Sequence, residues 1–268
     1  MATNCNHDCS SCQSKCEIEY FPLKEGSKIK KIIGVVSGKG GVGKSLVTSL
    51  LAAKMAKLGY KVGILDGDLT GPSIPKAFGL HGMLEGDGKG IIPAVSKEGI
   101  KVVSVNLLVE DETVPIIYRG PALSGLLSQL YKDVYYGELD YLFIDMPPGT
   151  ADVNLTILKQ IPLTGLVIVT TPQDLVRVIV EKSLKMANML DVPVLGLVEN
   201  MSYYKCPCCG EKLYPFGKSH TEDIVAEYLL PLLAEIPIDQ HITELVDKGD
   251  ISSYELEEIL PLADYISI

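Results

Sequence analysis

The stretch Gly38-Lys39-Gly40-Gly41-Val42-Gly43-Lys44-Ser45 fits the pattern G-x-x-x-x-G-K-[ST]. Glycines let the backbone curl until successive N–H groups converge on phosphate oxygens. A helix that follows such a loop turns its positive end toward the same oxygens. Lys44 is then placed for the β- and γ-phosphates of ATP, and the Ser45 hydroxyl for Mg²⁺. Lys39 is a second lysine inside the loop. It is either a solvated loop charge or a cation that crosses to the nucleotide of a second copy, as an arginine finger does.

Three acidic residues follow at candidate strand ends: Asp66 and Asp68 in ILDGDLTGPS, and Asp145 in YLFIDMPPGTAD. Carboxylates beside a phosphate loop hold Mg²⁺ directly or through water, the role expected for Asp66 and Asp145. Asp68 is a candidate for orienting the attacking water, or else caps a turn. Gly149, after Pro147-Pro148, is placed to bring a backbone N–H near the γ-phosphate. Asn200 closes the run LVEN. Its amide donates and accepts at once, which suits an adenine edge; a strand-end turn is the alternative.

Seven cysteines form two groups. Cys206-Pro207-Cys208-Cys209-Gly210 places Cys206 and Cys209 at the C-x-x-C spacing with which one turn offers two thiolates to one metal. Two thiolates make half of a four-ligand site. The other half must come from Cys208 with another group, from the N-terminal segment, or from a second copy across a two-fold axis. Half a zinc ribbon, an iron–sulfur cluster bridging two subunits and a redox disulfide all remain open. The other group, Cys5, Cys9, Cys12 and Cys16, has the spacing C-x3-C-x2-C-x3-C. That run resembles the ferredoxin spacing without matching it, and could wrap a [4Fe–4S] cluster or hold zinc, with His7 as a further ligand.

The elements that must position these residues are legible in outline. Residues 1–27 are polar and Cys-rich without apolar periodicity, and are expected to be a flexible tail. Residues 28–268 are expected to form one domain. Strands are expected at 32–36, 61–65, 102–105, 141–144, 166–170, 194–198 and 234–236. Helices are expected at 44–58, 121–135, 173–190 and 221–230. The Gly-rich stretch 81–99 reads as a loop or small hairpin. Alternation of this kind predicts an α/β fold, a mostly parallel sheet with helices on both faces, and chemistry at the carboxyl ends of the strands.

The 268 residues carry a net charge of -10 and no long basic run, which disfavours a nucleic-acid partner. No run of 18 apolar residues occurs and the N-terminus lacks an apolar signal core, so a soluble, cytoplasmic protein without a membrane partner is expected. The final segment SSYELEEILPLADYISI is acidic and contains Pro261, unlike a basic membrane-binding helix.

GKGGVGKS, LDGDLTGPSIP, DMPPGTAD, TTPQD, VENMS and CPCCG occur in this order between residues 38 and 210. Together they resemble the Mrp/ApbC family of iron–sulfur carrier ATPases, relatives of the eukaryotic cytosolic Nbp/Cfd scaffold proteins. The chain is more distantly similar to MinD and the nitrogenase iron protein. The resemblance covers roughly residues 28–265. It implies a doubly wound P-loop fold of the deviant Walker A type, with Lys39 as the signature lysine. Asp66 and Asp68 fall in switch I, Asp145 is the Walker B aspartate, and Asn200 is the adenine-contacting residue. It further implies a homodimer that binds a labile [4Fe–4S] cluster through Cys206 and Cys209 of each subunit. Such a dimer receives clusters from an assembly scaffold and delivers them to apo-proteins, with slow ATP hydrolysis coupled to transfer. Cys208 stands where the family's C-P-x-C leaves a variable residue. A positioning ATPase like MinD or ParA, and a zinc-stabilised ATPase without a cluster, are the alternatives.

Overall fold

The computed structural model describes residues 20–68, 73–108, 120–149, 152–172, 176–217, 219, 221–255, 257–259 and 264–266. In chain order the elements are β1 (Lys28–Ser37), α1 (Lys44–Lys57), β2 (Val62–Asp66), α2 (Ser73–Ala77), β3 (Ala94–Val95), β4 (Lys101–Ser104), α3 (Gly120–Lys132), β5 (Glu138–Asp145), α4 (Asp152–Gln160), β6 (Gly165–Thr170), α5 (Val176–Met189), β7 (Val194–Glu199), β8 (Tyr204–Lys205), β9 (Lys212–Leu213), α6 (Thr221–Tyr228), β10 (Leu232–Glu235) and α7 (Gln240–Lys248). Short 3₁₀ turns follow β4 and α7.

Eight strands form one sheet in the order β10-β7-β6-β1-β5-β2-β4-β3. Every pairing is parallel except that of β3 with β4. The strands read as continuous apolar runs because both faces of the sheet are covered. On one face, α1 packs with α2, α7 and the 3₁₀ turn at 251–253 around Ile33, Val35, Val47, Leu51, Phe143 and Ile242. On the other, α3 to α6 pack around Ile32, Leu142, Leu127, Ile157, Leu184 and Ile224. The expected α/β architecture, doubly wound with helices on both faces, is therefore present. Among the described residues no helix is long and apolar enough to cross a membrane.

The sheet register sets the chemistry. Each of seven parallel strands ends its apolar run on a polar residue at the same edge: Ser37, Asp66, Ser104, Asp145, Thr170, Glu199 and Glu235. Asp66 lies opposite both Asp145 and Ser104, and Glu199 lies opposite Thr170 and Glu235. β1 is the switch point, flanked by β5 on one side and β6 on the other. The crevice outside its carboxyl end is where such sheets bind ligands.

The structure departs from the sequence reading in three places. Helices α2, α4 and α7 were not foreseen. They are nine residues or shorter, and so carry little periodic signal. The strands β8 and β9, two residues each, pair antiparallel around the cysteines. The stretch 81–99, expected as a loop or small hairpin, does carry an antiparallel bridge between Gly86 and Ile91 and contributes β3. Finally, the packed chain begins before residue 28. Phe21 and Leu23 lie against the second core, the Phe21 N–H donates to the Gln160 carbonyl at 2.8 Å, and the Lys132 ammonium stands 4.9 Å above the Phe21 ring.

Candidate functional site: a phosphate loop and a thiol hairpin on one sheet edge

The Gly38–Ser45 loop joins β1 to α1. Gly41 and Gly43 have φ of 80° and 81°, a left-handed backbone that costs a side-chain-bearing residue free energy. Gly43 has a second constraint. A Cβ there would lie 2.1 Å from the Asn200 Nδ2. The loop is also braced by the Ser37 hydroxyl, which donates to the Lys39 carbonyl at 3.0 Å. Lys39 itself is half-buried.

Behind the loop, Asp145 gathers three donors. The Lys44 ammonium approaches its Oδ1 at 2.7 Å, the Ser45 hydroxyl its Oδ2 at 2.5 Å, and the Thr48 hydroxyl its Oδ1 at 3.2 Å. Thr48 follows Lys44 by one helical turn and thus shares its face of α1. Lys44 also lies 3.5 Å from Asp68 Oδ2. Burial pushes the Asp145 carboxyl up from its ordinary range, and the Lys44 charge pulls it back. Lys44, Ser45, Asp68 and Asp145 are therefore brought together as the sequence predicts.

The Asp66 Oδ2 accepts from the Ser104 hydroxyl at 3.0 Å and its Oδ1 from the Asp68 N–H at 3.2 Å. Both oxygens accept from protein donors, so Asp66 braces the turn that presents Asp68. Burial, followed by the nearby Asp145 charge, pushes its carboxyl well up. The Gly149 N–H donates to the Ser37 carbonyl at 2.9 Å, which ties the loop after β5 to the end of β1. Asn154 of α4 holds the same loop by donating to the Pro147 and Gly149 carbonyls at 2.9 and 2.6 Å. Asn200 is buried, and its Nδ2 donates to the Val42 carbonyl at 2.9 Å. The residue read as an adenine contact is thereby tied to the phosphate loop.

Sequence reasoning missed Thr48, Ser104, Asn154 and Glu199. Thr48 and Ser104 were findable: one lies a helical turn after Lys44, the other ends a strand as Asp66 does.

The cysteine hairpin leaves the same edge after β7. Tyr204 pairs with Leu213 and Lys205 with Lys212, and the turn between them carries Cys206, Cys208 and Cys209. Tight turning is fixed by the Cys206 N–H on the Glu211 carbonyl at 2.9 Å and the Gly210 N–H on the Cys206 carbonyl at 2.8 Å. Cys208 and Cys209 are exposed and Cys206 is partly so. The Cys208 N–H, then the Cys209 N–H, face the Cys206 sulfur and hold its thiol below the ordinary range. Among the described residues no group of three or more His, Cys, Asp or Glu side chains is placed to hold a metal. Cys5, Cys9, Cys12 and Cys16 lie outside the described residues.

A family model described as ParA: NUBPL iron-transfer P-loop NTPase matches residues 28–265. The chain belongs to this family. As a NUBPL-type P-loop NTPase it is 49% identical over 251 residues to the iron-sulfur cluster carrier protein of Clostridium perfringens, covering 89% of this chain and 88% of that one. It is 41% identical over 241 residues to the cytosolic Fe-S cluster assembly factor CFD1 of Kluyveromyces lactis, covering 87% and 85%. Among solved structures it is similar to a nucleotide-binding protein from Archaeoglobus fulgidus in complex with ADP. The TM-score is 0.78 at 43% identity, over 87% of this chain and 91% of that one.

Proposed function

We propose that this chain is an ATP-hydrolysing carrier that binds an iron–sulfur cluster at the Cys206–Cys209 hairpin and hands it to apo-proteins. The observation that carries this reading is the placement, on one sheet edge, of a complete phosphate loop and an exposed turn with a C-x-x-C thiol pair that, among the described residues, is not closed into a metal site. A resident structural metal would need a closed set of four protein ligands. A cargo that must be released suits an open, shared one. Two copies meeting across a two-fold axis would complete four thiolates, which is the number a [4Fe–4S] cluster takes. The carrier thus acts as a homodimer, in the cytoplasm, with Cys208 beside the ligating pair. Residues 28–268 work as one ATPase domain, and Cys5, Cys9, Cys12 and Cys16 form a second cluster- or zinc-binding segment ahead of it.

At the nucleotide pole, ATP arrives with Mg²⁺. The loop N–H groups of Gly38 to Ser45 take the phosphates, and Lys44 turns from Asp145 toward them. Ser45 and Asp145, already 2.5 Å apart, are the pair placed to hold the metal. Asp68 orients the attacking water, and Lys39 stabilises transition-state charge across the dimer. Asn200, tied to the loop through its Nδ2, contacts the adenine edge.

The test is anaerobic reconstitution with iron and sulfide, followed by iron, sulfide and zinc analysis and by sedimentation. The reading expects iron in the wild type, a dimer, and loss of about two irons per subunit in Cys206→Ala/Cys209→Ala. Zinc retained with no iron would turn the hairpin into a structural zinc knuckle.

A further inference from the structure

Glu199 is the last residue of β7 and is fully buried. Its hydrogen-bond partners are hydroxyls drawn from both roots of the cysteine hairpin. Ser202, on the outgoing root, donates to Oε1 at 2.7 Å. Ser219 and Thr221, on the returning root, both donate to Oε2. Ser219 in turn accepts the Thr221 N–H at 2.9 Å, which closes the start of α6 onto the same carboxylate. A buried carboxylate is costly unless several donors serve it, so this arrangement fixes all three hydroxyls in place.

The next residue is Asn200, whose side chain donates to the Val42 carbonyl of the phosphate loop. Consecutive strand side chains point to opposite faces, so two neighbouring residues grip two different structures. Glu199 holds the hairpin roots, and Asn200 holds the loop that will receive nucleotide. The strand between them is pinned by the Asn200 N–H on the Thr170 carbonyl and by the Ile236 N–H on the Glu199 carbonyl, each 2.8 Å. Met201, with φ of 57°, then turns the chain sharply into the hairpin. The roots are anchored again where the Ser202 N–H donates to the Ile236 carbonyl at 3.0 Å and the Ile238 N–H to the Tyr203 carbonyl at 2.7 Å.

We infer that Glu199 is the positioning residue through which the state of the phosphate loop is passed to the thiol hairpin. Nucleotide entering the loop bears on Val42 and Gly43, which lie against Asn200. Any shift of Asn200 moves the end of β7, and the Glu199 carboxylate carries both hairpin roots with it. This rests on the nucleotide and thiolate roles proposed above, and adds the connection between them.

The experiment reads the thiols without any cluster. Alkylation of Cys206 and Cys209 in the metal-free full chain is followed by peptide mass spectrometry, with and without Mg²⁺ and the slowly hydrolysed analogue ATPγS. Wild type is expected to change its labelling rate about five-fold or more on adding nucleotide, the lower end of ordinary coupling between sites. Glu199→Gln keeps the shape and loses the charge. Ser202→Ala/Ser219→Ala keeps the carboxylate and removes one donor from each root. Both are expected to bind ATPγS within about two-fold of wild type, yet to lose the labelling response. A full response in either folded variant overturns the inference, as does a wild type whose labelling ignores nucleotide. The Gln variant distinguishes a merely structural role, because that would lower melting temperature and nucleotide affinity while leaving the response intact. Iron analysis on the same preparations judges the carrier reading separately: a chain that holds no iron but keeps the response defeats that reading alone.

Discussion

The nucleotide pole and the cysteine hairpin leave the same sheet edge but are built in opposite ways. At the pole, Lys44 and the Asp145 side chain are 5% and 0% exposed and tied at 2.7 Å. Each polar group there is backed by a strand end or by α1. At the hairpin the strands are two residues long, and Cys208, Cys209, Tyr204 and Leu213 are exposed. The Cys206 thiol is held down first by the N–H groups of Cys208 and Cys209 and then by their thiols, all within its own turn. Bond cleavage in a nucleotide needs charges fixed before the reaction, so that no energy goes into reorganising them. A thiolate pair that must release what it binds needs access and little enclosure. One sheet supplies both because only the loops beyond its edge differ.

The comparison breaks first at Lys44. Lys44→Met should lower ATP turnover by about 10²–10³-fold, since a preorganised charge on the phosphates is lost. It should also cost about 3 kcal/mol or more in denaturant unfolding, because Asp145 is left buried without its cation. Iron bound at the hairpin on reconstitution should stay at the wild-type level. Cys206→Ser/Cys209→Ser should do the reverse: iron lost, with the unfolding midpoint and nucleotide affinity unchanged. If each pair of variants damaged both readouts equally, the two regions would not be separate machines.

Gly43→Ala comes next. The added Cβ meets the Asn200 Nδ2 at 2.1 Å, on a backbone with φ of 81°. The expected cost is about 1–3 kcal/mol of stability, with a fall in nucleotide affinity measured by calorimetry. Ser104→Ala should cost about 1–2 kcal/mol by removing a donor from the buried Asp66 carboxylate. Its effect on turnover should exceed its effect on nucleotide binding, since Asp66 holds the turn that presents Asp68.

The sequence makes the pole far more legible than its wiring. β1, β2 and β5 are apolar runs that close on a polar residue, and the glycine pattern lies between β1 and α1. Those signals are local, so they survive without the fold. The donation from Asn200 to Val42 spans 158 residues, and no spacing rule reports it. The engagement of Asp66 by Ser104 needs the β2–β4 register, which a linear reading does not contain. Helix α7 was readable in principle. Asp239 caps it by accepting the His241 N–H, and Gly249 ends it at φ of 69°, yet only Ile242 and Leu245 are buried along it. With the partly buried Val246 they give a single i, i+3, i+4 repeat, too short a run for a periodicity to stand out. The cysteine spacing predicts paired ligands but not the N–H groups facing Cys206, which exist only once the turn has formed.

The smallest expected effect sharpens the hairpin's side of the contrast. The Cys208 N–H contributes most to holding the Cys206 thiol down, and the Cys209 N–H contributes next. A lowered thiol pKa means that thiolate persists at pH values where an ordinary cysteine is protonated. In the metal-free protein, the alkylation rate of Cys206 should therefore reach half its plateau below the pH expected for a free cysteine, about 8.5. Cys208→Ser keeps the backbone N–H and should leave that midpoint in place. Cys208→Pro removes the N–H and should move it up toward the ordinary value. Equal midpoints in the two variants would mean that the Cys208 N–H is not the main support of the thiolate, and the order of the turn's contributions would have to be redrawn.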